Sequence, residues 1–388
     1  MEIICNQNEL NNAIQLVSKA VASRPTHPIL ANILLTADQG TNKISLTGFD
    51  LNLGIQTSFD GTVKNSGAIT IPSKLLSEIV NKLPNETPVN LEVDQNSENI
   101  LIKSDRGSFN LKGIPSDDYP NLPFVESGTS LNIDPISFLK ALKSTIFASS
   151  NDDSKQLLTG VNFTFKQNYL ESASTDGHRL AVALIGNEEY LKNIQNKDNL
   201  TSDENDLSVT IPTRSLREIE KLVTLRNSEN LLKFFYDKGQ VVFISTNQLI
   251  TTRTLEGNYP NYSQLIPDTF SKILNFNTKR LIEALERIAV LADQQSSVVK
   301  FKLDNTDLAS ISADAQDIGN ANESIPVSYS GDDFEIAFNV RYLLEGLKVI
   351  TSENVILKCN LATTPAVFVP EDNLNSFTYL VMPVQVRS

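Results

Sequence analysis

The sequence predicts an α+β chain made of three copies of one unit, each a mainly antiparallel sheet with two helices on one face. Three observations predict it. The segments IPSKLLSEIV from Ile71, IPTRSLREIE from Ile211 and FNVRYLLEGL from Phe338 share one register, spaced 140 and 127 residues apart. In that register Lys74, Arg214 and Arg341 coincide, as do Leu76, Leu216 and Leu343, and then Glu78, Glu218 and Glu345. A second marker, LNNAIQLV from Leu10, FLKALKST from Phe138 and LIEALERI from Leu281, aligns Ala13, Ala141 and Ala284. A third, LTGFD, ASTD and ISAD, ends at Asp50, Asp176 and Asp314. All three markers recur in the same order in every copy, and self-similarity of this kind decides a fold before any single motif does. A length of 388 residues also suits two or three domains better than one.

Each copy opens with a helix whose apolar residues recur at i, i+4 and i+7. Alternating strands follow, as in KISLTG (Ile44, Leu46), VNLEV (Val89, Leu91, Val93) and GVNFTF (Val161, Phe163, Phe165). A second helix comes next, with Pro72 and Pro212 expected in its first turn, where no N–H is needed. FNLKGI and LLKFFYDKGQVVFIS read as further strands that close their copies. The six helices are predicted over 9–22, 72–82, 137–149, 212–226, 279–291 and 340–350. Few strands are separated by long helical crossovers, so the sheets should be mainly antiparallel. Boundaries near Phe124–Ser130 and Ile266–Lys272 give domains 1–127, 128–268 and 269–388. The acidic tract Asn196–Ser208 has no periodicity and reads as a loop within the second copy.

Composition excludes several classes of function. Apolar residues make up 40% and charged residues 20% of the chain, ordinary for globular cores. The N-terminus has no basic segment followed by an apolar run, and no stretch is long enough to span a membrane, which predicts a cytoplasmic protein. Cys5 and Cys359 are lone cysteines that suit a reducing compartment. Two cysteines and two histidines at remote positions make no metal-ligand cluster, and no cofactor motif is present. No phosphate loop, dinucleotide fingerprint or nucleophile elbow occurs either.

Charge adds a constraint. The net charge of −13 argues against a nucleic-acid partner held by affinity alone. The predicted helices, however, carry 14 Lys and Arg against 7 Asp and Glu, while the rest of the chain carries 19 against 39. Six ordinary solvated faces are the bland reading. If the six share one side, they form a basic surface on an acidic body, which suits a DNA held topologically and positioned through its phosphates.

Seven segments resemble the bacterial sliding clamp family, the beta subunit of DNA polymerase III, and they span essentially the whole chain. They are RPTHPIL (Arg24–Leu30), LTGFDLNL (Leu46–Leu53), DDYPNLP (Asp117–Pro123), TDGHRLA (Thr175–Ala181), NYPNYSQLIP (Asn258–Pro267), FNVRYLLEGL and YLVMPV (Tyr379–Val384). The resemblance implies half of a head-to-tail dimeric ring with helices lining a hole around double-stranded DNA. It also implies a non-catalytic processivity factor. Its partners would be the replicative polymerase catalytic subunit, the clamp loader, and other polymerases and repair proteins that carry short clamp-binding peptides.

Carried over by position, the resemblance implies DNA contacts at Arg24, Lys74 and Arg214. It implies a dimer seam of Phe109 and Leu111 against Val290 and Leu291. It implies a partner-peptide pocket of Leu158, Thr175, Gly177, His178, Arg179, Leu180, Pro260, Leu265, Asn339, Tyr342, Leu380, Val381, Met382 and Pro383. Asp152, Gln156, Leu157, Gln264 and Gln385 depart from the residues familiar at their positions.

Two of these sites also have plainer readings. Asp176-x-His178 could be a general base with its carboxylate orienter, as in a phosphoester hydrolase, but no nucleophile or metal motif accompanies it. A turn that shapes a peptide groove accounts for it better, with Gly177 permitting the bend. His27 reads as a structural loop residue or a phosphate neighbour. Phe109 and Leu111 alone would read as the core side of a strand; the resemblance moves them to an interface. A pure scaffold with no topological hold on DNA is the remaining alternative.

Overall fold

The computed structural model describes residues 1–94, 97–105, 107–125, 128–166, 169–186, 207–224, 231–292, 296–304, 307–315, 318–329, 332–374 and 376–385. All six predicted helices are present: α1 (Gln7–Val17), α2 (Ser73–Lys82), α3 (Pro135–Thr145), α4 (Thr213–Thr224), α5 (Thr278–Ala292) and α6 (Val340–Leu347). α1 and α3 stop short of their predicted ends and continue as 3₁₀ turns, Ser18–Ala20 and Ile146–Ala148. At those ends Ser18 and Thr145 turn their hydroxyls back onto the carbonyls of Ile14 and Ala141, which competes with helix propagation. Pro72 and Pro212 close the strands before α2 and α4 instead of sitting in the first helical turn; Pro72, at φ −54° and ψ 113°, is extended. Most of the predicted acidic loop, 196–206, lies outside the described residues.

The chain forms two compact units that do not follow the repeat boundaries. The first comprises Met1–Pro135 and Arg214–Thr254. Its smaller sheet orders β5 (Thr62–Asn65), β1 (Glu2–Asn6), β7 (Pro88–Asp94), β8 (Asn99–Ser104) and β9 (Gly107–Lys112). Its larger sheet orders β10 (Thr129–Ile133), β15 (Leu232–Asp237), β16 (Gln240–Ser245), β17 (Gln248–Arg253), β4 (Leu53–Asp60), β3 (Lys43–Phe49), β2 (Asn32–Asp38) and β6 (Gly67–Pro72).

The second unit comprises Ile136–Thr213 and Leu255–Ser388. One sheet orders β14 (Leu207–Pro212), β11 (Gly160–Phe165), β12 (Leu170–Thr175), β13 (Arg179–Ile185), β26 (Phe377–Val381), β25 (Ala366–Pro370), β24 (Asn354–Cys359), β18 (Lys272–Asn277) and β22 (Ser328–Tyr329). The other orders β21 (Gly319–Pro326), β20 (Leu308–Ala315), β19 (Val298–Leu303) and β23 (Phe334–Asn339).

Every described strand pairing is antiparallel, including β4 with β17 and β13 with β26, which join one copy of the repeat to the next. The second copy is thus divided: its α3 half shares a sheet with the third copy, its α4 half with the first. The alternation read from sequence fixes which side chains face the core. In the second unit Phe276, Phe301, Phe338, Phe368 and Tyr379 form a chain of edge-to-face and tilted rings, all buried.

Candidate functional site

The turn Thr175–Arg179 is built by Asp176. Its Oδ1 accepts the backbone N–H of His178 at 2.8 Å and of Arg179 at 3.1 Å, and its Oδ2 accepts from Arg179 Nε at 3.1 Å. The carboxylate is therefore spent on the turn and on arginine rather than on the imidazole, so the general-base geometry is not formed. Gly177 takes φ +95°, a left-handed conformation that a Cβ disfavours. Thr175 donates its hydroxyl to the Arg179 carbonyl at 2.6 Å and its N–H to the Tyr259 hydroxyl at 3.1 Å. Met382 donates its N–H to the His178 carbonyl at 2.9 Å, continuing the pairing of β13 with β26.

Arg179, only 7% exposed, is the hub. Besides Asp176, it donates to Glu345 Oε2 at 2.5 Å and to the Phe147 carbonyl at 2.8 Å. Its guanidinium lies 4.5 Å from the Tyr342 ring centre and 5.5 Å from that of Phe147. Burial works against its charge, but Tyr379 and Glu345 beside it hold its pKa above the ordinary arginine value. The His178 ring stacks on Tyr342 at 6.4 Å with a 19° interplanar angle. Burial pushes the hydroxyls of Tyr259 and Tyr379 up, so both are neutral hydrogen-bonding groups.

The predicted pocket residues separate by exposure. Gly177, His178, Pro260, Leu265 and Met382 are exposed, and Leu158, Asn339, Tyr342 and Pro383 are half-buried. Thr175, Arg179, Leu180, Leu380 and Val381 are buried; Leu180 and Leu380 pack with Ala173, Val182, Val367 and Val369 under Tyr262 and Ile266. The side chains of these five lie within the fold. Asn339 caps α6, accepting from the N–H groups of Arg341 and Tyr342. Gln264 and Gln385 are exposed, Asp152 caps the 3₁₀ turn Asp153–Thr159, and Leu157 lies beside Gly257.

Of the three predicted DNA contacts, Arg24 and Lys74 are exposed. Arg214 is exposed as well, and it also reaches Asp50 Oδ2 at 2.6 Å and the Lys19 carbonyl at 3.0 Å. Phe109, 38% exposed, lies with Leu111 on β9, the outer strand of its sheet. Val290 on α5 is 67% exposed and Leu291 half-buried. His27 is exposed at the start of a 3₁₀ turn. Cys5 and Cys359 are buried free thiols pushed up by burial to about 12 and about 11, so neither forms a ready thiolate. Among the described residues there is no group of three or more His, Cys, Asp or Glu that could hold a metal ion, and no helix long and apolar enough to cross a membrane.

Sequence reasoning missed Glu345, Phe147 and Tyr259, and the pairing of Arg214 with Asp50. The aligned Glu and Asp markers of the three copies were the available signal: repeated charged positions within an apolar register ask for a partner.

Comparison with known proteins places these features. Family models for the N-terminal, central and C-terminal domains of the DNA polymerase III beta subunit match residues 1–123, 132–261 and 263–385. The beta sliding clamp of Synechococcus elongatus is 45% identical over 390 residues, covering all of both chains. That of Bacillus subtilis is 32% identical, covering 99% of this chain and all of the relative. Among solved structures, the sliding clamp of Bacillus subtilis superposes with a TM-score of 0.89 at 29% identity, and the beta subunit of Pseudomonas aeruginosa with 0.87 at 26%, each covering both chains completely. Fold and comparisons together define a DNA clamp, an α+β chain of three like domains that is not an enzyme. The chain belongs to the DNA polymerase III beta subunit family, the sliding clamps that give DNA replication its processivity.

Proposed function

We propose that two copies of this chain close head to tail into a ring that encircles double-stranded DNA without reading its sequence. The domains would be 1–127, 128–268 and 269–388, in the cytoplasm. The observation that carries the proposal is a pair of open sheet edges. Within the chain, strands at corresponding places join successive copies: β4 to β17 and β13 to β26. The third copy's corresponding strand, β21, and the first copy's β9 each end a sheet, with no strand paired on the outer side among the described residues. Exposed Phe109 on β9 and Val290 on α5 supply the apolar contact such a seam needs. A second copy satisfies both edges at once, β9 to β21 and β21 to β9, and unlike patches of this kind close into a ring.

The excess of basic residues on the helices supports a lining that guides phosphates, with Arg24, Lys74 and Arg214 all exposed and Arg214 also paired with Asp50. The turn Thr175–Arg179, with Pro260, Leu265, Tyr342 and Met382 around it, supports a peptide dock for the replicative polymerase catalytic subunit, the clamp loader, and other polymerases and repair proteins. Two or three apolar side chains buried there, less the cost of ordering the peptide, give affinities near micromolar, about −8 kcal/mol.

Retention on circular against linearised DNA after loading tests the ring. The native protein should stay on circles and run off free ends, and it should persist on circles at salt that abolishes direct binding. Replacing Val290 by Ala together with Leu291 by Asp should leave a folded monomer that is not retained. Equal retention on both DNA forms, or a doubly substituted protein that still sediments as a dimer, would overturn the proposal.

A further inference from the structure

We infer that Glu345 is a positioning residue of the dock: by holding the Arg179 guanidinium it sets the Tyr342 and His178 rings that form the dock's aromatic wall. The inference rests on the peptide-dock reading above.

All three guanidinium nitrogens of Arg179 are committed, Nε to Asp176, one terminal nitrogen to Glu345 and the other to the Phe147 carbonyl. Arg179 therefore offers no free fork to a client's carboxylate, and its work is inside the fold. Its planar face lies against Tyr342, and Tyr342 in turn stacks His178. Glu345 follows Tyr342 by three residues on α6, so the two share a face of that helix, and both reach Arg179. The ion pair thus fastens α6 of the third copy to the turn of the second, with Tyr342 held between them. Without Glu345 the guanidinium keeps Asp176, the Phe147 carbonyl and the Tyr379 hydroxyl, but the nitrogen nearest α6 loses its charged partner on that helix.

The corresponding place between the first and second copies shows that strand pairing does not require this device. There Leu53 stands where Arg179 would be and Arg214 supplies the guanidinium instead, tied to Asp50 and the Lys19 carbonyl as Arg179 is to Asp176 and the Phe147 carbonyl. Glu218, the counterpart of Glu345, is bound to Lys221. Yet β4 and β17 pair in the same register as β13 and β26. An arginine that bridges the turn and the matching carbonyl is thus common to both junctions, and the glutamate bound to it belongs to the later one.

The test is fluorescence anisotropy of a labelled peptide bearing the glutamine, leucine and phenylalanine of clamp-binding motifs, on the full-length protein. Glu345→Gln is nearly isosteric and half-exposed. It should weaken binding about five- to tenfold while leaving the melting temperature and the dimer unchanged. Arg179→Lys, which keeps the charge but loses the planar fork, should weaken binding at least as much. In a Tyr342→Ala background, Glu345→Gln should have almost no further effect, because its route runs through that ring. Native affinity in Glu345→Gln, or an undiminished effect in the Tyr342→Ala background, would overturn the inference. A Tyr342→Ala protein that binds as tightly as the native one would instead overturn the dock reading, and the inference with it.

Discussion

The junction between the first and second copies and the junction between the second and third share one backbone design and differ in what fills it. Asp50 Oδ1 accepts from the N–H groups of Asn52 and Leu53 just as Asp176 accepts from those of His178 and Arg179. Arg253 donates its N–H to the Asn52 carbonyl as Met382 does to that of His178. Leu51 even takes φ +74° where the later copy has Gly177 at +95°. The side chains then diverge. Phe377, Tyr379 and Phe147 close the later junction with aromatic packing. Gln248, Ile250 and Lys19 occupy the matching positions earlier, where Gln248 and Lys19 border a cavity of about 580 Å³. The Gln248 Oε1 is buried with no partner among the described residues. A repeated backbone therefore does not imply a repeated site: the later junction has an aromatic frame behind its turn, and the earlier one has a hollow and the Arg214–Asp50 tie.

Substitutions at matched positions sharpen this contrast. Phe377→Ala empties a packed site and should cost about 3–5 kcal/mol. Gln248→Ala, its counterpart beside a cavity, should cost less than about 1 kcal/mol because it also removes an unpaired acceptor. Denaturant titration reads both, and equal losses would break the contrast.

A smaller effect is expected on α6. A Cβ at Gly346 would stand 2.1 Å from Tyr379 Cε1, so Gly346→Ala should cost about 1–3 kcal/mol by overpacking and weaken peptide binding through displacement of α6. An unchanged melting temperature would show that the helix is not wedged there.

The smallest effects concern the two turns. Gly177→Ala should lose about 1 kcal/mol to left-handed strain. Leu51→Gly should gain up to about 1 kcal/mol, the strain relieved being partly offset by the freedom of glycine in the unfolded chain. If both changes shift the melting temperature in the same direction, the two turns are not the counterparts described.

Much of this was legible in the sequence because it depends on local periodicity. Helices α1 to α6 fall within a few residues of their predicted spans, and the strands of VNLEV and GVNFTF bury the alternate residues expected. What was not legible depends on pairings between copies. Arg179 and Glu345 are separated by 166 residues, and Arg214 and Lys19 by 195. No periodicity reports that β4 meets β17 or that β13 meets β26, since either strand could as well have ended its sheet. Leu180, Leu380 and Val381 illustrate the same limit: an apolar residue in a matching motif can line a surface or support it from beneath, and only the packed neighbours distinguish the two.

Hydrogen exchange on the full-length protein, with and without the motif peptide, tests the difference between the junctions most directly. Protection on peptide binding should appear at residues 175–182, 259–266, 341–345 and 378–383, with 50–54 and 250–254 unchanged. Equal protection at both junctions, or protection at the earlier one alone, would contradict the assignment of the dock to the later junction.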